Sequence, residues 1–141
     1  MYAFLSLATR DVMTRSVVYV SPGQSLAELE QIFATHEFNG CPVVDAGELV
    51  GFVTKLDFLK AFLFNPRSVV PPYETIMKKT IGAVMTPTVV TVPEDRPLTR
   101  VLQMMVDLRT KAFPVVDAGG KLVGMVARED IARALCQSIG K

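Results

Sequence analysis

The chain has 141 residues, of which 50% are hydrophobic and 21% charged, and its 15 basic and 14 acidic side chains give a net charge of +1. This balance excludes a disordered chain, and without a block of Lys or Arg nothing predicts broad non-specific binding to nucleic acid. No apolar run approaches the roughly 18–20 residues of a membrane span, and two cysteines with one histidine make no recognisable zinc site.

The cysteines and the first residues bear on location and assembly. Cys41 and Cys136 form no C-x-x-C pattern, so we expect reduced thiols in a cytoplasmic protein. The opening "MYAFLSLATRDVM" has no basic start before its short apolar piece, and we do not interpret it as a signal peptide. The mean hydropathy of +0.34 is high for a small monomer and predicts apolar surface buried against a second copy of the chain.

The chain contains an internal duplication. The matching stretches are "VMTRSVVYV" (12–20) with "VMTPTVVTV" (84–92), "CPVVDAG" (41–47) with "FPVVDAG" (113–119), and "LVGFVTKLD" (49–57) with "LVGMVARED" (122–130). One additional Gly in the second copy separates its last two stretches. Their shared order predicts two copies of one structural unit.

Each copy begins with a short β-branched strand, residues 17–20 in the first and 89–92 in the second, followed by a turn rich in Pro, Gly and acidic residues. An amphipathic helix comes next. In the first copy Ser25 and Glu28 form an S-x-x-E capping box at its start. In the second copy Pro97 suits the first helical turn.

Two strands joined by a tight turn follow in both copies. They are predicted at 41–44 and 49–53, and again at 113–116 and 122–126. A closing helix begins near Lys55 or Arg128, so each copy is a β-α-β-β-α unit.

We predict an α+β fold with repeat 1 at 9–64, a connector at 65–80 and repeat 2 at 81–139. The connector is rich in proline and ends in a short helix. One such unit cannot bury both its sheet and its helices alone. Sheet-to-sheet packing about a pseudo-two-fold axis would bury them and leave two symmetry-related clefts.

The phrase "TKLD" at the start of the first closing helix has two interpretations. As structure, Thr54 and Asp57 form a T-x-x-D capping box, and Asp57 meets the positive end of the helix dipole. As function, the Asp accepts hydrogen bonds from vicinal sugar hydroxyls while the helix start and a cation hold phosphate. Lys55 is the candidate cation.

The second copy weakens the structural interpretation without removing it. Ala127 stands where the first copy has the threonine, so this residue cannot cap the helix, yet Asp130 keeps its place. Arg128 is the corresponding candidate cation. Both copies therefore keep the predicted sugar anchor, and only the first keeps the hydroxyl.

The duplicated pattern from about Thr9 to Leu135 resembles a pair of CBS domains, which together are called a Bateman module. Such pairs commonly bind adenosine-containing ligands. The resemblance therefore implies AMP, ADP or ATP as ligand, with S-adenosylmethionine also possible. From the residues themselves we expect no cofactor and no metal site. The family's ligand signature is Gly, an apolar residue, one more residue, Ser or Thr, two residues and Asp. Residues 51–57 fit it in full, and residues 124–130 fit it except for the hydroxyl.

The resemblance also assigns residues to two clefts, each drawing on both copies. One cleft would contain Thr54, Lys55 and Asp57 with Thr86, Val89, Lys111, Phe113 and Pro114. The other would contain Arg128 and Asp130 with Thr14, Val17, Cys41 and Pro42.

No catalytic set is present in the sequence, since it holds no Ser-His-Asp arrangement, P-loop, G-x-G-x-x-G or H-E-x-x-H motif. We therefore expect a non-enzymatic, cytoplasmic homodimer that binds nucleotide between its repeats and signals to an unknown effector protein by conformational or oligomeric change. One alternative is an interaction module with empty clefts. Another is a nucleic-acid-binding protein, which the near-neutral charge disfavours.

Overall fold

The computed structural model describes residues 2–63 and 73–139, and the chain divides into two compact units. The terminal unit comprises residues 1–17 and 90–141, and the central unit comprises residues 18–89. Each unit therefore combines the hairpin of one repeat with the "VMT" segment of the other. The repeat boundaries predicted above describe the sequence duplication and stay a prediction.

The regular elements follow the predicted order. In the terminal unit they are α1 (Tyr2–Leu5), a 3-10 turn (Thr9–Asp11), β3 (Val92–Pro93), α6 (Leu98–Leu108), β4 (Ala112–Val116), β5 (Leu122–Ala127) and α7 (Arg128–Ile139). In the central unit they are α2 (Leu26–Thr35), β1 (Gly40–Asp45), β2 (Glu48–Thr54), α3 (Lys55–Lys60), α4 (Tyr73–Met77) and α5 (Ile81–Val84). Both hairpins, both amphipathic helices and both closing helices are confirmed. Of the predicted connector, residues 65–72 lie outside the described residues, and α4 supplies its short helix.

An antiparallel hairpin of β1 and β2 forms the sheet of the central unit. Its turn is two residues long, and Ala46 and Gly47 both have positive φ, at 51° and 83°, as the twist of a two-residue hairpin requires. The helix α2 begins at the predicted capping box, because Ser25 Oγ accepts from the Glu28 N–H at 3.2 Å. Its apolar stripe buries Leu26 against the hairpin core.

Buried apolar side chains from every part of the central unit form its core. The buried members are Val20, Leu26, Leu29, Cys41, Val43, Val53, Ile76, Met77 and Ile81. Because β1 contributes Cys41 and Val43 and β2 contributes Val53, the alternation of the hairpin decides which face is apolar. Burial of these side chains is the main stabilising contribution to this unit.

The terminal unit has a three-stranded sheet in the order β3-β4-β5, with β3 parallel to β4 and β4 antiparallel to β5. The short α1 contacts α6 and α7, and its Phe4 is buried in the same core as Phe113 and Ile131. The first residues of the chain are therefore part of the folded terminal unit.

The predicted first strands are shorter than expected. Of residues 17–20, only Val20 forms a bridge, to Val43, and of residues 89–92 only Val92 belongs to a strand, β3. β-branched composition favours an extended backbone, but a strand also needs a partner along its length. In the described part of the chain, these segments meet the neighbouring strand only at their last residue.

The "VMT" segments instead make a separate contact. Thr86 and Phe52 exchange two backbone hydrogen bonds, of 2.8 and 2.9 Å, and Thr14 and Met125 exchange the equivalent pair at 2.8 and 2.9 Å. Each bridge crosses the second hairpin strand next to the glycine of "LVG". A Cβ on Gly51 would lie 2.7 Å from the Met85 sulfur and 2.8 Å from the Thr86 carbonyl oxygen. The glycine is therefore required by the close crossing of two backbones.

Within residues 2–63 and 73–139, no helix has the length and apolar character needed to cross a lipid bilayer.

The close crossing predicts that replacing the glycine lowers the stability of the protein. We expect Gly51→Ala to lower the free energy of unfolding by about 1–3 kcal/mol, because the new methyl group forces the crossing segment outward. Urea denaturation measures this difference. Gly23→Ala is the matched control, since nothing lies within 4 Å of a Cβ there, and we expect a change within about 0.5 kcal/mol. Equal effects of the two substitutions would contradict the role given to the crossing.

Candidate functional site

The site in the central unit is built where β2 passes directly into α3. Asp57 Oδ2 accepts from the Thr54 N–H at 3.0 Å, and the Asp57 N–H donates to Thr54 Oγ1 at 3.0 Å. These reciprocal bonds form the capping box that the structural interpretation predicts. The Lys55 N–H donates to the Asn39 carbonyl at 2.8 Å, which joins the helix start to the segment before β1.

Asp57 is more buried than a capping residue needs to be. Only 9% of the residue is exposed, whereas acidic residues are rarely buried without partners. Its Oδ2 is held by the Thr54 amide, and its Oδ1 makes no hydrogen bond to any residue that the structure describes. A carboxylate held in place through one oxygen can accept a ligand hydroxyl through the other, and such charge-assisted bonds are strong.

The terminal unit repeats this arrangement with two differences. Asp130 Oδ2 accepts from the Ala127 N–H at 2.8 Å, but the alanine offers no hydroxyl in return. Asp130 Oδ1 lies 3.4 Å from Arg133 Nη1, in an ion pair whose side chains are 10% and 61% exposed. The Arg128 N–H donates to the Lys111 carbonyl at 3.0 Å, as Lys55 does to Asn39.

The "VMT" bridges bring further predicted residues into each unit. Thr86 pairs with Phe52, two residues before Thr54, and Thr14 pairs with Met125, two residues before Ala127. The central unit therefore contains Thr54, Lys55, Asp57, Thr86 and Val89. The terminal unit contains Arg128, Asp130, Thr14 and Val17.

The remaining predicted contacts are placed in the opposite unit from the Asp of their cleft. Cys41 and Pro42 are buried in β1 of the central unit, whereas Lys111, Phe113 and Pro114 belong to the terminal unit. Phe113 is buried in the terminal core, and Lys111 is exposed. Their contact with a ligand stays a prediction.

The thiol of Cys41 is part of the central core. The residue is 1% exposed, and burial raises the pKa of the thiol to about 12, because a thiolate is poorly solvated there. The sulfur of Cys41 is therefore a core group, and its contact with a ligand stays a prediction.

Two features near the site carry no predicted role in ligand binding. Arg133 becomes relevant only through its helical i+3 position relative to Asp130, which is a readable signal. The aromatic group of Phe33, His36 and Phe38 is the other: the His36 and Phe38 rings stack at 5.2 Å, and Lys55 Nζ lies 5.9 Å above the Phe33 ring. This contact draws the candidate cation toward the end of α2.

Metal ligands are not gathered at either site. Across the described residues, no group of three or more His, Cys, Asp or Glu side chains is arranged to hold a metal ion.

Comparison with protein families matches the CBS domain twice, at residues 9–64 and 81–137. Among curated proteins, the chain is 34% identical over 125 residues to an L-aspartate semialdehyde sulfurtransferase of Methanocaldococcus jannaschii, covering 88% of this chain and 22% of that protein. The chain thus spans well under two thirds of the length of this relative, and 45% of a second protein from the same organism.

Two solved structures are similar over nearly the whole chain. The CBS domain pair of protein MJ0100, in complex with 5′-methylthioadenosine and S-adenosyl-L-methionine, is 31% identical with a TM-score of 0.74, covering 94% of this chain and 98% of that one. CBSX2 in complex with AMP is 27% identical with a TM-score of 0.81, covering 96% and 100%; CBSX2 is from Arabidopsis thaliana.

The difference between the two helix starts predicts opposite effects of exchanging their residues. We expect Thr54→Ala to lower the free energy of unfolding by about 1 kcal/mol, because the Asp57 N–H loses its acceptor. Ala127→Thr should raise it by a smaller amount, because the new hydroxyl can accept from the Asp130 N–H. Urea denaturation of both variants tests this; a threonine without effect at 127 would show that the second helix start cannot use a cap.

The two thiols should differ sharply in reactivity. We expect iodoacetamide at pH 8 to label the exposed Cys136 in the native protein and to leave Cys41 unmodified, because its thiolate is scarcely populated and buried. Mass spectrometry of wild type and Cys136→Ser, with and without denaturant, measures this. Native labelling of the Cys136→Ser protein would contradict the burial of Cys41.

Proposed function

The chain belongs to the CBS domain family, and on that premise we propose that it is a regulatory module that binds an adenosine-containing ligand at the helix starts of its two units. The observation that carries this proposal is the Asp57 carboxylate. It is nine-tenths buried, it is oriented by the Thr54 amide, and its second oxygen makes no hydrogen bond to any residue in 2–63 or 73–139.

The geometry of this carboxylate suits the vicinal hydroxyls of a ribose. Hydroxyl groups donate readily to a carboxylate, and such charge-assisted bonds are stronger than neutral ones. The Thr54 hydroxyl oxygen already accepts from the Asp57 N–H, so its proton remains available to a ligand oxygen. Lys55, exposed at the first position of α3, supplies positive charge for a phosphate.

The ligands of the two similar structures support adenosine as the recognised part. 5′-Methylthioadenosine, S-adenosyl-L-methionine and AMP occur in those proteins, and the three compounds share adenine and ribose while differing at the 5′ position. For this chain we propose AMP, ADP or ATP as ligand, with S-adenosylmethionine as a further candidate. These act as signals and not as cofactors, and we propose that the protein has no catalytic activity of its own.

The proposed output is a shift between conformations or oligomeric states. A ligand shifts such an equilibrium only by its difference in affinity for the two states. We propose a cytoplasmic homodimer that reports to an effector protein. Large apolar side chains remain exposed for such contacts, notably Leu56, Leu59, Leu63, Val106 and Ile139.

The same exposed apolar side chains favour a second candidate, an interaction module that binds a partner protein with no nucleotide. In that case the bonds between Thr54 and Asp57 serve only as a helix cap. The two candidates differ in what the charge of Asp57 contributes, because a cap needs an acceptor oxygen and a ribose site needs a carboxylate.

Isothermal titration with AMP, ADP, ATP and S-adenosylmethionine tests the proposal. We expect wild type to bind at least one of them, and Asp57→Asn to weaken binding at one site by about tenfold or more, because the neutral amide loses the charge-assisted bonds. Asn keeps an acceptor for the Thr54 amide, so the fold is preserved. Asp45→Asn, at an exposed position in the same unit, is the matched control.

If the wild-type protein binds none of the four ligands at millimolar concentration, the proposal is overturned and the interaction module becomes the favoured function. Binding that is unchanged in Asp57→Asn would show that the ligand site lies elsewhere.

A further inference from the structure

The net charge of +1 conceals two units of opposite charge. The terminal unit contains ten basic and seven acidic side chains, a net charge of +3, whereas the central unit contains five basic and seven acidic side chains, a net charge of −2. The two sequence repeats differ in the same direction, and Arg10 and Arg15 add further positive charge to the terminal unit. Net charge of this kind biases which charged ligands a surface attracts.

The contrast is sharpest at the segments that surround the two helix starts. In the terminal unit Arg15 follows the Thr14 bridge, and its guanidinium donates to the Arg10 carbonyl at 3.2 Å. Lys111, which the resemblance assigns to the cleft of Asp57, supplies the carbonyl that accepts the Arg128 N–H, so its backbone lies at the helix start of Asp130. In the central unit the same two places hold Pro87, after the Thr86 bridge, and Asn39. Two positive charges at matched places are thus absent from the central unit.

A position close in sequence to Lys111 also carries more positive charge in the terminal unit than in the central unit. Arg109, which ends α6 in the left-handed conformation with φ of 54°, takes the place of Glu37 in the first copy. Glu129 opposes this trend, since Leu56 is its counterpart. Both helix starts keep one cation directly after the strand, Arg128 or Lys55. The terminal site nevertheless remains the more positive of the two.

The carboxylates themselves differ in how much of their charge is compensated. Asp130 lies 3.4 Å from the guanidinium of Arg133. Asp57 has Lys60 at the equivalent place, and no ion pair joins them in the described part of the chain. An uncompensated carboxylate repels a polyphosphate, and a neighbouring guanidinium reduces that repulsion.

We infer that the two sites divide the adenosine ligands by charge. The site at Asp130 takes a nucleoside di- or triphosphate, and the site at Asp57 takes an adenosine compound with one phosphate or none. This assignment rests on the proposed function and adds to it the class of ligand at each site. The protein then responds to the ratio of highly charged to weakly charged adenosine compounds, because each class fills a different unit.

Titrations with one site disabled at a time test the assignment. ATP, AMP and 5′-methylthioadenosine are titrated, without magnesium, into Asp57→Asn, which leaves the terminal site, and into Asp130→Asn, which leaves the central site. We expect Asp57→Asn to bind ATP more tightly than AMP and Asp130→Asn to show the reverse order. Raising the salt concentration should narrow the difference, because exposed charges are screened.

Exchange of one residue between the sites makes the test sharper. In the Asp57→Asn background, Lys111→Asn should lower the affinity for ATP by about two- to fivefold, the contribution of one exposed charge. The affinity for 5′-methylthioadenosine should not change. In the Asp130→Asn background, Asn39→Lys should raise the affinity for ATP by a similar factor. Lys121→Asn is the control, because it removes a charge of the same unit at the far end of the β4–β5 hairpin.

The outcomes separate this inference from the proposed function. Binding with the same ATP-to-AMP ratio at both sites, or equal effects of Lys111→Asn and Lys121→Asn, would overturn the division by charge and leave nucleotide binding intact. Failure of wild type to bind AMP, ADP, ATP, S-adenosylmethionine or 5′-methylthioadenosine would overturn both.

Discussion

Both compact units depend on the close crossing of a Met-Thr segment over the second strand of a hairpin. In the central unit Thr86 exchanges backbone hydrogen bonds with Phe52, and only a glycine at 51 leaves room for the Met85 sulfur and the Thr86 carbonyl. The terminal unit repeats this with Thr14, Met125 and Gly124. Because each crossing segment comes from the other repeat, neither repeat contains a complete unit, and the duplication folds as a pair.

The same crossing explains why a helix cap becomes a candidate ligand site. The second hairpin strand ends two residues after the bridge, at Thr54, and the closing helix begins there. The cap fixes one oxygen of Asp57, and burial keeps water from most of the side chain. Structural and ligand-binding roles are therefore not rivals at this residue, since holding one oxygen is what presents the other in a defined direction.

The two copies differ at residues next to their proposed ligand sites. Both keep the Asp and its bond to the preceding amide, which the helix start requires. The hydroxyl, the ion pair with Arg133 and the charges at Arg15 and Lys111 are confined to one unit or the other. A duplication can change such exposed positions at little cost in stability, because surface charges contribute little to it.

The sequence by itself determined the duplication, the α+β class, both hairpins and the capping boxes at Ser25 and Thr54, because turn chemistry, alternation and caps are local signals. It overestimated the first strands, since β-branched residues indicate an extended backbone and not a partner. The family resemblance already placed Thr14 and Val17 with Arg128 and Asp130. Only the tertiary structure decided that residues 1–17 form one compact unit with residues 90–141 and that Lys111, not assigned to this site from sequence, lies beside the start of α7. The partner of a crossing segment is set by long-range packing, which no local pattern records.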